Sequence, residues 1–143
     1  MHRIERSVLV PYSAERMFRL VERVDDYPAF LPWCPASRAR HLPDDSVEAT
    51  IEIAFRGVRA RFTTRNELDP PREIRMTLVD GPFRRLAGSW HFRELPEESC
   101  KVSLQLQYQF APGLLGRLVA PVFESIAGSM IDAFARRAES LYG

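Results

Sequence analysis

Between residues 45 and 110 apolar and polar positions alternate with period two. Val47, Ala49, Ile51, Ile53 and Phe55 are separated by Glu48, Thr50, Glu52 and Ala54. Successive side chains leave a strand on opposite faces, so this alternation predicts a half-buried strand. Arg56-Gly57 then supplies a two-residue turn, and the pattern resumes through Val58, Ala60 and Phe62, which predicts a hairpin. That loop sets Phe55 opposite Val58, Ile53 opposite Ala60 and Ile51 opposite Phe62. On the other face Glu52 meets Arg61 and Glu48 meets Arg65, so one register satisfies both faces. The alternation continues through Ile74, Met76 and Leu78, then Leu86, Gly88, Trp90 and Phe92, then Val102, Leu104, Leu106, Tyr108 and Phe110. Ser103, Gln105, Gln107 and Gln109 fill the gaps of the last strand, the pattern of an antiparallel sheet with one wet face.

Outside this region the period changes. "RIERSVLVP" predicts a first strand ended by Pro11. "SAERMFRLVERV" predicts a short amphipathic helix over 13–24, with Ser13 as N-cap and Met17, Leu20, Val21 and Val24 on one face. From 114 to 142 a broad apolar stripe of Leu118, Val122, Phe123, Ile126, Met130, Phe134, Ala138 and Leu141 predicts a long C-terminal helix. Pro121 must either open that helix or kink a longer one.

The order of elements is α+β, a curved sheet wrapped around its last helix. Such a sheet cannot touch one helix along its whole concave face, which leaves room for a cavity, a natural ligand site. The inward positions are aliphatic or aromatic apart from Thr64, Asn66 and Tyr108. The same apolar pattern is also met by side chains that simply pack on the helix.

A chain of 143 residues, 45% hydrophobic, suffices for one compact core, so a single domain over 1–143 is expected. The N-terminus lacks the apolar run of a signal peptide, and "GLLGRLVAPVF" is too short to cross a bilayer; a cytoplasmic protein is expected. Cys34 and Cys100 are too few for a disulfide framework and are expected to be reduced. A net charge of +1 exerts no global pull on nucleic acid or anionic membrane. The basic residues are nineteen Arg and one Lys, a bias that suits phosphate contacts and equally follows from base composition.

No catalytic constellation is present. The chain holds no G-x-S-x-G, G-x-G-x-x-G, C-x-x-C or H-E-x-x-H, and His2, His41 and His91 are dispersed. His91 and Glu94 fall on opposite faces of one strand, and the carboxylate pairs Asp25/Asp26, Asp44/Asp45 and Glu97/Glu98 sit where turns and caps use them. No enzyme, no metal and no catalytic residue are expected. Arg59, Arg61 and Arg65 form an outer stripe that could meet RNA phosphates, although the register offers two of them carboxylate partners. DNA is not an expected partner.

One stretch fits neither period: "VDDYPAFLPWCP", residues 24–35, follows the first helix with three prolines and a run of large apolar side chains. With "GPFRRLAGSWHF" at 81–92 and the ending "PVFESIAGSMIDAFARRAESLYG", it resembles the coenzyme Q-binding START-like family of the helix-grip superfamily, which includes polyketide cyclases and Bet v 1-like folds. The resemblance spans nearly the whole chain. It implies a seven-stranded antiparallel sheet gripping the C-terminal helix, two short helices after the first strand, and a hydrophobic tunnel for an isoprenoid quinone. It implies two roles that the sequence does not separate: binding ubiquinone in support of respiration, or acting as a toxin that associates with the large ribosomal subunit and blocks subunit joining. Ubiquinone is the ligand expected first, no cofactor is required, and transient contact with the inner membrane is expected of a quinone carrier.

On this basis Tyr27, Phe30, Leu31 and Trp33 are expected to form an aromatic rim at the open end of the grip, with Pro28, Pro32 and Pro35 holding its shape. The alternative is a lid of ordinary core residues. Inward parity and helix face assign the lining to Phe55, Phe62, Met76, Trp90, Leu106, Tyr108, Val122, Ile126 and Met130. Tyr108 and Asn66 are the expected hydrogen-bond partners of a quinone carbonyl.

Overall fold

A computed structural model describes all residues, 1–143. Seven strands, β1 (His2–Val10), β2 (Ser37–His41), β3 (Val47–Phe55), β4 (Val58–Asp69), β5 (Glu73–Asp80), β6 (Phe83–Leu95) and β7 (Ser99–Phe110), form one antiparallel sheet in the order β1-β7-β6-β5-β4-β3-β2. Between β1 and β2 lie helix α1 (Ala14–Glu22) and a 3-10 helix (Val24–Ala29), and the chain ends in α2 (Leu114–Tyr142). The sheet curves around α2, helped by register shifts at Thr63/Thr64 and Phe83/Arg85.

The β3–β4 register is the expected one, Phe55 opposite Val58 through Glu48 opposite Arg65. Arg56 and Gly57 turn the chain with φ of 52° and 79°, the left-handed pair that matches the twist of the flanking strands. Strand β2, "SRARH", carries no apolar alternation because it is an edge strand whose side chains are mostly exposed. Its arginines blunt a sheet edge that would otherwise pair with other chains.

Ser13 caps α1, its Oγ accepting from the Arg16 N–H at 3.2 Å, and Glu94 accepts from the Ala14 N–H at 3.1 Å. Glu94 therefore anchors α1 to the sheet, while His91 on the opposite face lies 3.7 Å from Glu73. Phe18 of α1 packs edge-on against Phe92, centroids 5.5 Å apart. Helix α2 runs unbroken through Pro121, which sits on its exposed face, and it packs on β1, β4 and β7. Its stripe is shorter than expected: Leu118 and Leu141 are each 49% exposed, and Leu114 and Leu115 before them are 69% and 54% exposed. The remaining stripe joins a single cluster of 34 buried residues.

At Gly88 a side chain on β6 would run into β7. A Cβ there would meet the Gln105 carbonyl oxygen and come within 2.6 Å of Leu106 Cδ2. Only a residue without a side chain fits this inward position.

Candidate functional site

Curvature leaves an apolar cavity between the sheet and α2. Its walls are the inward residues of β3 to β7, the face of α2 that carries Phe123, Ile126, Ala127 and Met130, and Val21, Val24, Tyr27 and Trp33 from the segment after β1. Of 25 lining residues 21 are hydrophobic, so the site selects for apolar surface. About 70 Å³ is open to the centre of a water molecule. One water needs roughly 10–15 Å³ on this measure, so the cavity is slender and holds a handful of small groups as it stands.

Its uncharged polar side chains, Thr64 and Asn66, are concentrated at one point. Thr64 and Asn66 are both buried, and the Thr64 hydroxyl donates to Asn66 Oδ1 at 2.7 Å. This leaves the Asn66 amide N–H₂ without a protein acceptor, as a donor for a carbonyl on a bound molecule. The acidic residue at the wall is Glu22, from the last turn of α1. Tyr27 lines the cavity with its ring only, since its hydroxyl donates to the Val21 carbonyl. Burial, and secondarily Cys34, pushes that phenol well above its ordinary range.

Eight of the residues expected at the ligand line the cavity: Tyr27, Trp33, Phe62, Met76, Trp90, Leu106, Ile126 and Met130. Five are placed elsewhere. Tyr108 faces inward but lies under the first half of α2, 1% exposed, in an aromatic cluster with Phe83, Phe110 and Phe123 at 6.4, 5.4 and 4.9 Å. Burial, then Glu124, raises its phenol pKa. Asn66 therefore faces the cavity without it. Val122 is buried outside the lining. Phe55 sits beside the hairpin tip with the Arg56 guanidinium 4.8 Å from its ring centre. Phe30 and Leu31 are not part of the cavity wall and line a separate surface hollow that Trp33 shares.

Tyr27, Leu31 and Trp33 are 5%, 1% and 8% exposed, the burial of core residues rather than of an open rim. Backbone contacts explain the prolines' company: Leu31 N–H bonds Tyr27 O at 2.9 Å, Cys34 N–H bonds Leu31 O at 3.0 Å, and Trp33 O accepts from Ala54 N–H at 2.9 Å. The stretch from 24 to 35 is thus a compact plug, tied at Trp33 to β3. Val21, Val24, Val47, Ala49, Ile51, Ile53, Leu68, Ile74, Leu86, Leu104 and Phe123 also line the cavity and share the parity or helix face that the pattern had marked as inward, whereas Ala87 has the opposite parity on its strand.

The outer face departs from the expected pairing. Glu48 bonds Arg40 of β2 at 3.2 Å, not Arg65, and Arg65 turns to Asp44 and Ser46 in the β2–β3 loop. Glu52 and Arg61 oppose each other in register but do not form an ion pair. Asp25 accepts from the Ala39 N–H at 3.2 Å, and Asp44 bonds Ser46 N–H and Oγ, so these carboxylates serve loops. Hydrogen bonds from Ser46, and the Arg65 charge after them, hold the Asp44 carboxyl below its ordinary value. Cys34 and Cys100 are free and buried.

The sequence profile for polyketide cyclase/dehydrase and lipid transport matches residues 10–135. The chain is 43% identical over 140 residues to the ribosome association toxin RatA of Pseudomonas aeruginosa, covering 98% of this chain and 97% of that protein. It is 28% identical over 141 residues to the mitochondrial coenzyme Q-binding protein coq10 of Schizosaccharomyces pombe, covering 93% and 84%. Among solved structures, an 18 kDa protein of Caulobacter crescentus superposes with a TM-score of 0.77 at 32% identity, covering 100% and 99%. The Zhui aromatase/cyclase of a Streptomyces species superposes at 0.83 with 17% identity, covering 96% and 93%. The last likeness is one of fold. The fold is the START-like helix grip, and it is shared with an aromatase/cyclase.

Proposed function

The chain belongs to the polyketide cyclase/dehydrase and lipid transport family, and from that premise we propose that it is a cytoplasmic protein that binds the large ribosomal subunit and inhibits translation. The observation that carries this reading is full-length similarity to a ribosome association toxin, much higher than that to a coenzyme Q-binding protein. The surface supports it. Of nineteen arginines, fourteen have no carboxylate within 4 Å, so their guanidinium groups are free for phosphate. Because net charge is only +1, the attraction is local, and its strength depends on where arginines cluster.

Co-sedimentation with purified large subunits tests this directly. Binding should be tight at low salt, weaken steeply between 50 and 200 mM salt as on the order of several phosphate contacts are lost, and deplete joined ribosomes in a translating extract. A protein that leaves large subunits in the supernatant at low salt refutes the proposal.

A second reading rests on the cavity: a hydrophobic ligand, ubiquinone being the first candidate, bound between sheet and α2 with a carbonyl on Asn66. Apolar burial supplies about 0.8 kcal/mol per CH₂. An isoprenoid tail exceeds the room in the cavity, so only part of it would be held there. Native mass spectrometry after incubation with ubiquinone, followed by extraction, decides it; a mass that stays apo removes the quinone. Cyclase-type catalysis is not part of either reading, because the Tyr27 hydroxyl is already engaged by Val21 and Glu22 faces no second proton-transfer group across the cavity.

A further inference from the structure

Phe30 and Leu31 lie outside the cavity wall, and the hollow they line also holds Arg137, whose Nε is the molecule's one buried side-chain polar atom without a hydrogen bond. The plug residues Phe30, Pro32 and Trp33 form one wall of a surface hollow, and Ser129, Arg136 and Arg137 of α2 form the other. The Arg137 guanidinium carbon lies 5.1 Å from the Phe30 ring centre, and Phe30 is itself held edge-on by Phe134 at 5.3 Å and Tyr27 at 6.0 Å. The guanidinium is therefore positioned by a rigid aromatic stack. Neither Arg136 nor Arg137 has a carboxylate within 4 Å, no acidic residue lines the hollow, and the Nη groups of Arg137 make no hydrogen bond within the protein. Two unpaired guanidinium groups, one of them pre-oriented, suit a tetrahedral oxyanion that accepts several hydrogen bonds at once.

We propose that this hollow is a phosphate-binding site and that the phosphate belongs to the backbone of RNA. The assignment rests on the ribosome reading and names the surface by which this chain would engage it. A lipid headgroup is the weaker source. The exposed leucines that would enter a bilayer, Leu114, Leu115 and Leu118, lie at the other end of α2, about 30 Å away at 1.5 Å per residue. A membrane held there does not reach the hollow.

The test compares salt-dependent co-sedimentation of large ribosomal subunits with the wild type and with two double variants, Arg136→Gln/Arg137→Gln in the hollow and Arg59→Gln/Arg61→Gln on the outer sheet face. The hollow variant should bind about tenfold more weakly at 150 mM salt, and its slope of log affinity against log salt should flatten by about 0.7 to 0.9, as for one lost phosphate contact. The sheet variant should stay within about twofold. Arg136→Gln alone, on an exposed residue, keeps the test valid if the Arg137 change loosens Phe30; it should flatten the slope by about half as much. Wild-type binding in the hollow variant, or equal losses in both doubles, overturns the site. If the wild type itself does not sediment with subunits, the ribosome reading fails on its own. Titration with a short single-stranded RNA, followed by Trp33 fluorescence, then judges the hollow: a saturable quench absent in the Arg136/Arg137 variant sustains the RNA site, and no quench overturns it. A quench by phosphatidylglycerol vesicles and not by RNA overturns the assignment to RNA.

Discussion

Replacing Trp33 by Ala separates a core plug from an aromatic rim. Trp33 is 8% exposed, faces the cavity, and its carbonyl is bonded to Ala54 of β3, so its ring cannot be removed without leaving a void that the sheet is poorly placed to close. Truncating a buried aromatic of this kind costs about 3–5 kcal/mol, a large part of the roughly 7–20 kcal/mol available to a chain of this length. Phe30 is half-buried and loses mainly its edge-on contacts with Tyr27 and Phe134, worth about 0.5–1.5 kcal/mol each beyond area. Its truncation should therefore cost about half as much. Phe55, at the hairpin tip, should cost about 1 kcal/mol. Urea unfolding followed by circular dichroism measures all three; the midpoint should fall in the order Trp33, Phe30, Phe55 with an unchanged slope, and melting of the Trp33 variant should drop by roughly 9–20 °C. A Trp33→Ala protein within about 1 kcal/mol of wild type, or one less affected than Phe30→Ala, would refute the plug and restore the rim.

Other consequences are equally direct. Gly88→Ala puts a methyl group against the Gln105 carbonyl and Leu106, both on the neighbouring strand, and should destabilise by about 1–3 kcal/mol; an unchanged urea midpoint would mean that β6 and β7 separate freely there. Burial, with Glu94 as the smaller cause, raises the Cys100 thiol from 9.0 to about 11. The folded state thus prefers the neutral thiol, its contribution is complete below pH 9, and it is lost as pH rises from 9 towards 11. Cys100→Val should flatten the decline of stability across that window, and a decline of the same size in the variant assigns it to other groups. Leu115→Ser and Leu118→Ser remove side chains that are 54% and 49% exposed and should change stability by no more than about 0.5 kcal/mol, whereas Val119→Ser, on a fully buried neighbour, should cost about 1–3 kcal/mol. Similar losses at all three positions would mean that the first turns of α2 are covered.

The strands from β3 to β7 are legible because a sheet with one wet face writes its burial into every second residue, and the Arg56-Gly57 turn then leaves a single register. Strand β2 is not legible. Its side chains answer to an exposed edge, and what makes it a strand is backbone pairing with β3, from Ser37 opposite Ile51 to His41 opposite Val47, which leaves no mark in hydropathy. The α2 stripe is overread at its ends: Leu118 and Leu141 have the right spacing but are each 49% exposed, although Val119 and Ala138 close by are fully buried.

By itself the sequence determined the α+β order, the hairpin register, the cap of α1 and the inward parity of every cavity strand, all consequences of local periodicity and turn chemistry. Which inward residues face a cavity and which face packed helix is not a local property. Leu106 and Tyr108 have the same parity on β7, yet one lines the cavity and the other lies beneath Phe123, because the curved sheet meets α2 closely at one end and diverges from it at the other. The same holds for charge. Register alone set Glu48 against Arg65, but a guanidinium on a long flexible stem takes the partner its loop presents, and only the fold brought Asp44 to Arg65 and left Arg136 and Arg137 beside Phe30 with none.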